Sequence, residues 1–174
     1  MTLNIELLES SFDKIRPQAL EFSAYFYQAL FNHYPELNKM FKEVDQAAME
    51  KKLIASLALI VENLRNPIEL TSALKSLGAR HVKIGTVPEH YPMIGNILIY
   101  TFSQYLGEDW TLELATAWEE AYNLIADLML SGAETPEKYL NGELTFYEWL
   151  DLYGESSPKV RDMISSTTHF HYRT

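Results

Sequence analysis

Cysteine is absent from the 174 residues. Disulfides, thiolate nucleophiles and Cys-ligated zinc or iron–sulfur centres are therefore excluded. Positive charge is scarce, with 14 Lys and Arg against 24 Asp and Glu, a net −10. That balance argues against nucleic acid, whose binding rests on basic patches that release counterions. It argues equally against an anionic membrane surface. No run of 18 apolar residues is present, and the first residues lack a basic-then-apolar leader pattern. The expectation is a soluble cytoplasmic chain. Period-two strand patterns are few. G-x-S-x-G, the Walker loop, H-E-x-x-H and G-x-G-x-x-G are all missing. The five histidines (33, 81, 90, 169, 171) include no pair spaced three or four apart, so a helical zinc site is not expected.

What is present is apolar content of 47% with aromatic content of 13%, enough for a packed core. Helical spacing runs through the chain. Leu3, Leu7, Leu8, Phe12 and Ile15 predict a first helix, and Pro17 restarts the chain. Leu20, Ser23, Tyr27, Leu30 and Phe31 line the next helix, which ends before Pro35. PELNKMF (35–41) reads as a short helical turn, followed by a helix to about Leu64 with Leu53, Leu57, Ile60 and Val61 inward. Asn66-Pro67-Ile68-Glu69 has the form of a capped helix start. That helix carries Leu70, Leu74, Leu77, His81 and Ile84 in steps of 4, 3, 4 and 3, which is one face. A histidine in such a stripe needs a hydrogen bond, a metal or a buried partner. Gly78 inside this helix implies a bend or a close backbone approach. Gly85 and Pro88 make a corner before Tyr91. Ile94, Ile97, Leu98, Thr101 and Tyr105 face inward on the next helix, which Gly107 stops. Asp109 or Thr111 caps a last long helix with Ala115, Trp118, Tyr122, Ile125 and Met129 inside. Gly132 is expected to end the compact part. Thr135-Pro136 then starts a short helix leading to Tyr139, Leu140, Phe146 and Trp149, Ser157-Pro158 starts another, and the end is polar.

The motifs FYQALF (26–31), PELNKMF (35–41), KKLIASL (51–57), LGARHVKIGTVPEHYPMIG (77–95) and AWEEAY (117–122) come in an order and spacing that resembles a globin. The likeness is to the haem domain of bacterial flavohaemoglobins and to bacterial single-domain globins, from Leu20 to about Leu130. It implies an all-α globin fold of six to eight helices around haem b (iron protoporphyrin IX). Residues 1–132 would form the haem-binding domain and 133–174 a C-terminal extension.

The resemblance makes His81 the iron ligand and Phe41 the phenylalanine over the haem. It makes Tyr27 the distal hydrogen-bond donor to bound gas, and Met49 and Leu53 the distal-helix positions beside it. Met49 departs from the family's usual histidine or glutamine, and two readings stay open for it: an apolar lid or a sulfur ligand. The free nitrogen of His81 needs an acceptor, and the candidates are a backbone carbonyl of Leu77 or Gly78 or, through rearrangement, a group near Tyr91. Tyr91 matches the proximal tyrosine of the flavohaemoglobin branch, whose partner glutamate falls at Thr135 here, with Glu134 and Glu137 near by. Lys52 and Arg80 fall at the haem edge, where they would pair with propionates. The implied activity is binding of dioxygen, nitric oxide and carbon monoxide. Nitric oxide dioxygenation would use a separate reductase, since no reductase domain follows. The rival readings are a haem-based gas or redox sensor with the extension as output, and a haem-free globin-fold interaction protein.

Overall fold

A cap, a kink or a glycine sets most of the helix boundaries. In the computed structural model, which describes residues 3–42 and 44–140, α1 spans Ile5–Ile15. The Asn4 side chain opens it by accepting from the Leu7 amide at 3.2 Å. A 3₁₀ turn around Pro17 leads into α2, Ala19–His33. Residues Pro35–Phe41 wind as a 3₁₀ helix. Asp45 caps α3, Gln46–Glu62, through the Ala48 amide at 2.7 Å. Helix α4 is Pro67–Lys83 and α5 is His90–Leu106. Gly107, at φ 52°, stops α5 in a conformation that a side chain disfavours. Thr111, rather than Asp109, caps α6, Leu112–Ala133, while Asp109 pairs with Lys14 at 2.8 Å. A short α7, Pro136–Leu140, starts at the expected Thr135-Pro136. Phe146, Trp149 and the second tail helix lie outside the described residues.

Helix α2 lies on α5 and α3, α4 lies on α6 and α7, and α1 bridges α3, α5 and α6. The described chain is thus all-α, with seven α-helices and no strand among the described residues. Phe12, Phe22, Phe26 and Phe102 are the largest of its fully buried side chains.

Several sequence expectations are corrected. Asn66 stands at the N-cap of α4, yet its side chain makes no capping bond, and Pro67 alone marks the start. Ile84 lies past the helix end and is 64% exposed, because α4 stops at Lys83 before the stripe's next turn. Gly132 does not terminate a helix. It sits inside α6, where an added Cβ would lie 2.0 Å from the Lys75 carbonyl oxygen. Gly78 does the reciprocal thing: its Cβ would lie 1.8 Å from the Met129 carbonyl oxygen. The two glycines let the backbones of α4 and α6 touch, so close approach, not a bend, explains Gly78.

Candidate functional site

Two adjoining cavities separate the α3 wall from the α4 wall. The larger has a volume of about 490 Å³ and the smaller about 220 Å³. Tyr27, Lys52, Leu53 and His81 line both. Phe41, Met49 and Arg80 line the larger, and Leu77 and Tyr91 the smaller. The structure therefore brings all nine sequence-derived site residues to one place.

His81 is half-buried near the end of α4. Its Nδ1 lies 2.8 Å from the Leu77 carbonyl oxygen, one helical turn back. A carbonyl only accepts, so Nδ1 carries the proton and Nε2 keeps its lone pair. Burial pushes the imidazole pKa below its ordinary value, and the Leu77 bond opposes this without cancelling it. The ring is a neutral base with one nitrogen committed and one available.

The end of α4 explains how the chain turns around that ring. The Thr86 amide donates to the His81 carbonyl at 2.9 Å and the Gly85 amide to the Val82 carbonyl at 3.0 Å. Gly85 has φ 84°. This is a Schellman closure, with glycine at the left-handed position. It folds the 86–90 segment back, so that Thr86 and His90 line both cavities beside His81. Sequence reasoning missed Thr86 and His90 as lining residues, although Gly85 just past the stripe was the available signal. Ile94, read only as a helix-face residue, also lines both cavities.

Tyr27 is held by rings. Phe26 and Phe41 meet it edge-on at 5.1 and 5.9 Å, and Phe31 stacks at 6.0 Å. Such contacts orient a phenol and leave its hydroxyl as the polar feature of an apolar wall. Met49 is buried in the first turn of α3. Lys52 and Arg80 come from opposite walls of the larger cavity, so two cations flank it.

Beyond His81, Tyr91 is buried and burial raises its pKa, so it stays a phenol. The Tyr122 hydroxyl donates to the Tyr91 carbonyl at 2.6 Å. Burial first, then the electrostatic interaction with the neighbouring Tyr91 phenol, push the Tyr122 pKa far up, against a backbone bond at Gly95. Gly95 leaves room for that ring, since a Cβ there would lie 2.3 Å from Tyr122 Cε1. Glu134 and Glu137 are both exposed and line neither cavity. Among the described residues, no group of three His, Asp or Glu side chains is arranged to hold a metal ion.

A family model described as Globin matches residues 24–129. The flavohemoprotein of Rhizobium meliloti is 33% identical over 113 residues, 64% of this chain and 28% of that protein. The flavohemoprotein of Bacillus cereus is 28% identical over 168 residues, 93% of this chain and 40% of that protein. The chain thus spans well under half the length of these curated relatives. An engineered carbene transferase, made from a candidate nitric oxide dioxygenase of Rhodothermus marinus, superposes with a TM-score of 0.69 at 27% identity. That match covers 79% of this chain and 96% of the other.

Proposed function

The chain belongs to the globin family, and from that footing we propose that it holds haem b on His81 and binds dioxygen, nitric oxide and carbon monoxide there. Nitric oxide dioxygenation, with electrons from a separate reductase, is the enzymatic activity we assign to the same site. The observation that carries this reading is the His81 ring, bonded at Nδ1 to Leu77 with Nε2 uncommitted to that bond, on the wall of both cavities.

The residues fit the group. A cavity of about 490 Å³ is in the usual size range for cofactor pockets. The His81 imidazole, with no group of three metal-donor side chains among the described residues, suits an iron that a macrocycle would otherwise hold. When bound, haem supplies an iron that takes up diatomic gases and, given an electron, allows dioxygen and nitric oxide to combine as nitrate.

The chain's own residues do the rest. The Leu77 carbonyl fixes the His81 tautomer and ring orientation. The Tyr27 hydroxyl donates a hydrogen bond to a ligand that carries partial negative charge. Phe41, Met49 and Leu53 keep the distal side apolar. Lys52 and Arg80 pair with the two carboxylates of the macrocycle. The Leu77 acceptor also takes the place that a glutamate would fill, since Glu134 and Glu137 stand outside the cavities. Residues 1–132 form the haem-binding unit in this reading.

The test is haem content and the visible spectrum, ferric and ferrous, with and without carbon monoxide. His81→Ala should lose stoichiometric haem. Full haem content with an unchanged spectrum in that variant would overturn the ligand assignment. A second reading has one observation in its favour: α7 packs against α4, the helix that carries His81. A gas sensor could report through that contact. It requires hydrogen exchange in 136–140 to change when carbon monoxide is added.

A further inference from the structure

On the far side of α2 from Tyr27, a second tyrosine points at α5. Tyr25 and Tyr100 stack with their ring planes 28° apart. Their centroids are 6.2 Å apart, but their hydroxyl oxygens are only 3.2 Å apart. The rings therefore converge toward their hydroxyl ends, which brings together the ring edges that carry the hydroxyls and the carbons ortho to them. The pair lies at the surface, with Tyr100 40% exposed. Tyr105 meets Tyr25 edge-on at 5.9 Å and walls it from the inner side. His33 stands 6.1 Å from Tyr100, with Nδ1 on the Ala29 carbonyl at 2.8 Å, which leaves Nε2 as its basic nitrogen.

We propose that Tyr25 and Tyr100 are an oxidation site that closes an intramolecular dityrosine bond between α2 and α5. Each phenol loses one electron and one proton, and the two phenoxyl radicals join ortho carbon to ortho carbon. The two ring hydrogens displaced at the new bond return to the phenolic oxygens through solvent. The oxidant is a peroxide, whose O–O bond takes two electrons and two protons to give two waters. Protons leave through solvent and the neighbouring imidazole of His33.

Three features favour this pair. Radical coupling joins ortho carbons, and the hydroxyl contact brings the ring edges that carry them together. The coupling joins residues 75 apart in sequence, between two helices already packed on each other. With no cysteine in the chain, an oxidative cross-link cannot be a disulfide, and tyrosine pairs offer a carbon–carbon alternative. Tyr27, by contrast, is surrounded by Phe26, Phe31 and Phe41, which cannot couple in this way. The bond would fasten α2, and with it the Tyr27 segment, to α5.

The experiment treats the full chain with hydrogen peroxide and a trace of added peroxidase. The expected product is a monomer lighter by two hydrogens, with dityrosine fluorescence and a yield independent of protein concentration. Peptide mapping should join the Tyr25 peptide to the Tyr100 peptide. Tyr25→Phe and Tyr100→Phe should each abolish that product, and Tyr105→Phe should keep it. A cross-link mapped to other tyrosines, undiminished yield in Tyr25→Phe, or dimers in place of the monomeric product would overturn the proposal. None of these readouts depends on haem, so failure here leaves the haem assignment standing.

Discussion

The two ends of the helix bundle are packed on opposite principles. At one end Phe102 stacks on Trp118 at 4.0 Å and meets Phe22 at 4.9 Å. The Trp118 Nε1–H donates to Ser11 Oγ at 3.0 Å, and Ser11 donates on to the Leu8 carbonyl at 3.0 Å. That end is solid, and the N–H of its buried Trp118 indole is satisfied. At the other end the same helices leave two cavities. Helix α2 sends Phe22 to the solid end and Tyr27 to the hollow one. Helix α5 sends Phe102 to the first and Ile94 to the second. Helix α6 sends Trp118 to the first and Ile125 to the second. Stability and function are thus separated along single helices, and a substitution should affect one or the other by its position.

Phe102→Ala is the severest test of that separation. It should cost about 3–5 kcal/mol in chemical denaturation, the usual loss for a buried phenylalanine. The visible spectrum of the haem-loaded folded protein should not change. A shifted spectrum would mean that the solid end does help to shape the hollow one.

Tyr27→Phe probes the hollow end. A hydrogen bond to a partly charged ligand is worth about 1.5–3 kcal/mol. Dioxygen should therefore dissociate roughly ten- to a hundredfold faster. Carbon monoxide, which carries less charge, should change much less, and equal effects on both gases would remove the hydrogen-bond explanation.

Met49→Leu should cost less than about 1.5 kcal/mol, because it nearly conserves volume. It decides between lid and ligand. We expect no low-spin sulfur-to-iron band in the ferric wild type. Such a band, lost in Met49→Leu, would make the thioether an iron ligand.

The smallest effect is acid sensitivity of the haem-stripped chain. Burial lowers the folded-state pKa of His81, so below the ordinary value of about 6.5 the unfolded chain binds the extra proton. Stability should fall as pH drops from there toward the lowered folded value, and the His81 contribution should be flat above about 6.5. His81→Gln should flatten that slope. An unchanged slope would assign the acid response to other groups.

The hollow end was far more legible in the sequence than the solid one. His81 stands out because a polar ring interrupts a stripe of leucines, and Tyr27, Phe41 and Tyr91 follow from its motif context. Phe22 and Phe102 were not picked as face residues, although both are completely buried. Helices apolar on several sides carry no single stripe, so periodicity cannot say which ring meets which neighbour. Asn66 shows a second limit. A cap residue in the right place was read as a cap bond, but the bond depends on the loop that delivers it. Gly132 shows a third. Near the end of a helix, a glycine that stops the chain and one that admits a neighbouring backbone look alike in sequence.

The paired glycines of α4 and α6 limit which substitutions this part of the fold can accept. Where Gly78 meets Met129 and Gly132 meets Lys75, backbone rests on backbone. The gap between these helices therefore offers no side chain that could be lengthened or shortened by one methylene. Most of the core can drift by small, compensated exchanges. This crossing admits only two conditions, seated or forced apart, and His81 lies three residues beyond it. The depth of the imidazole is thereby tied to that crossing. Tyr27, Met49 and Leu53 line the cavities from α2 and α3, away from the crossing, and can be exchanged there one at a time.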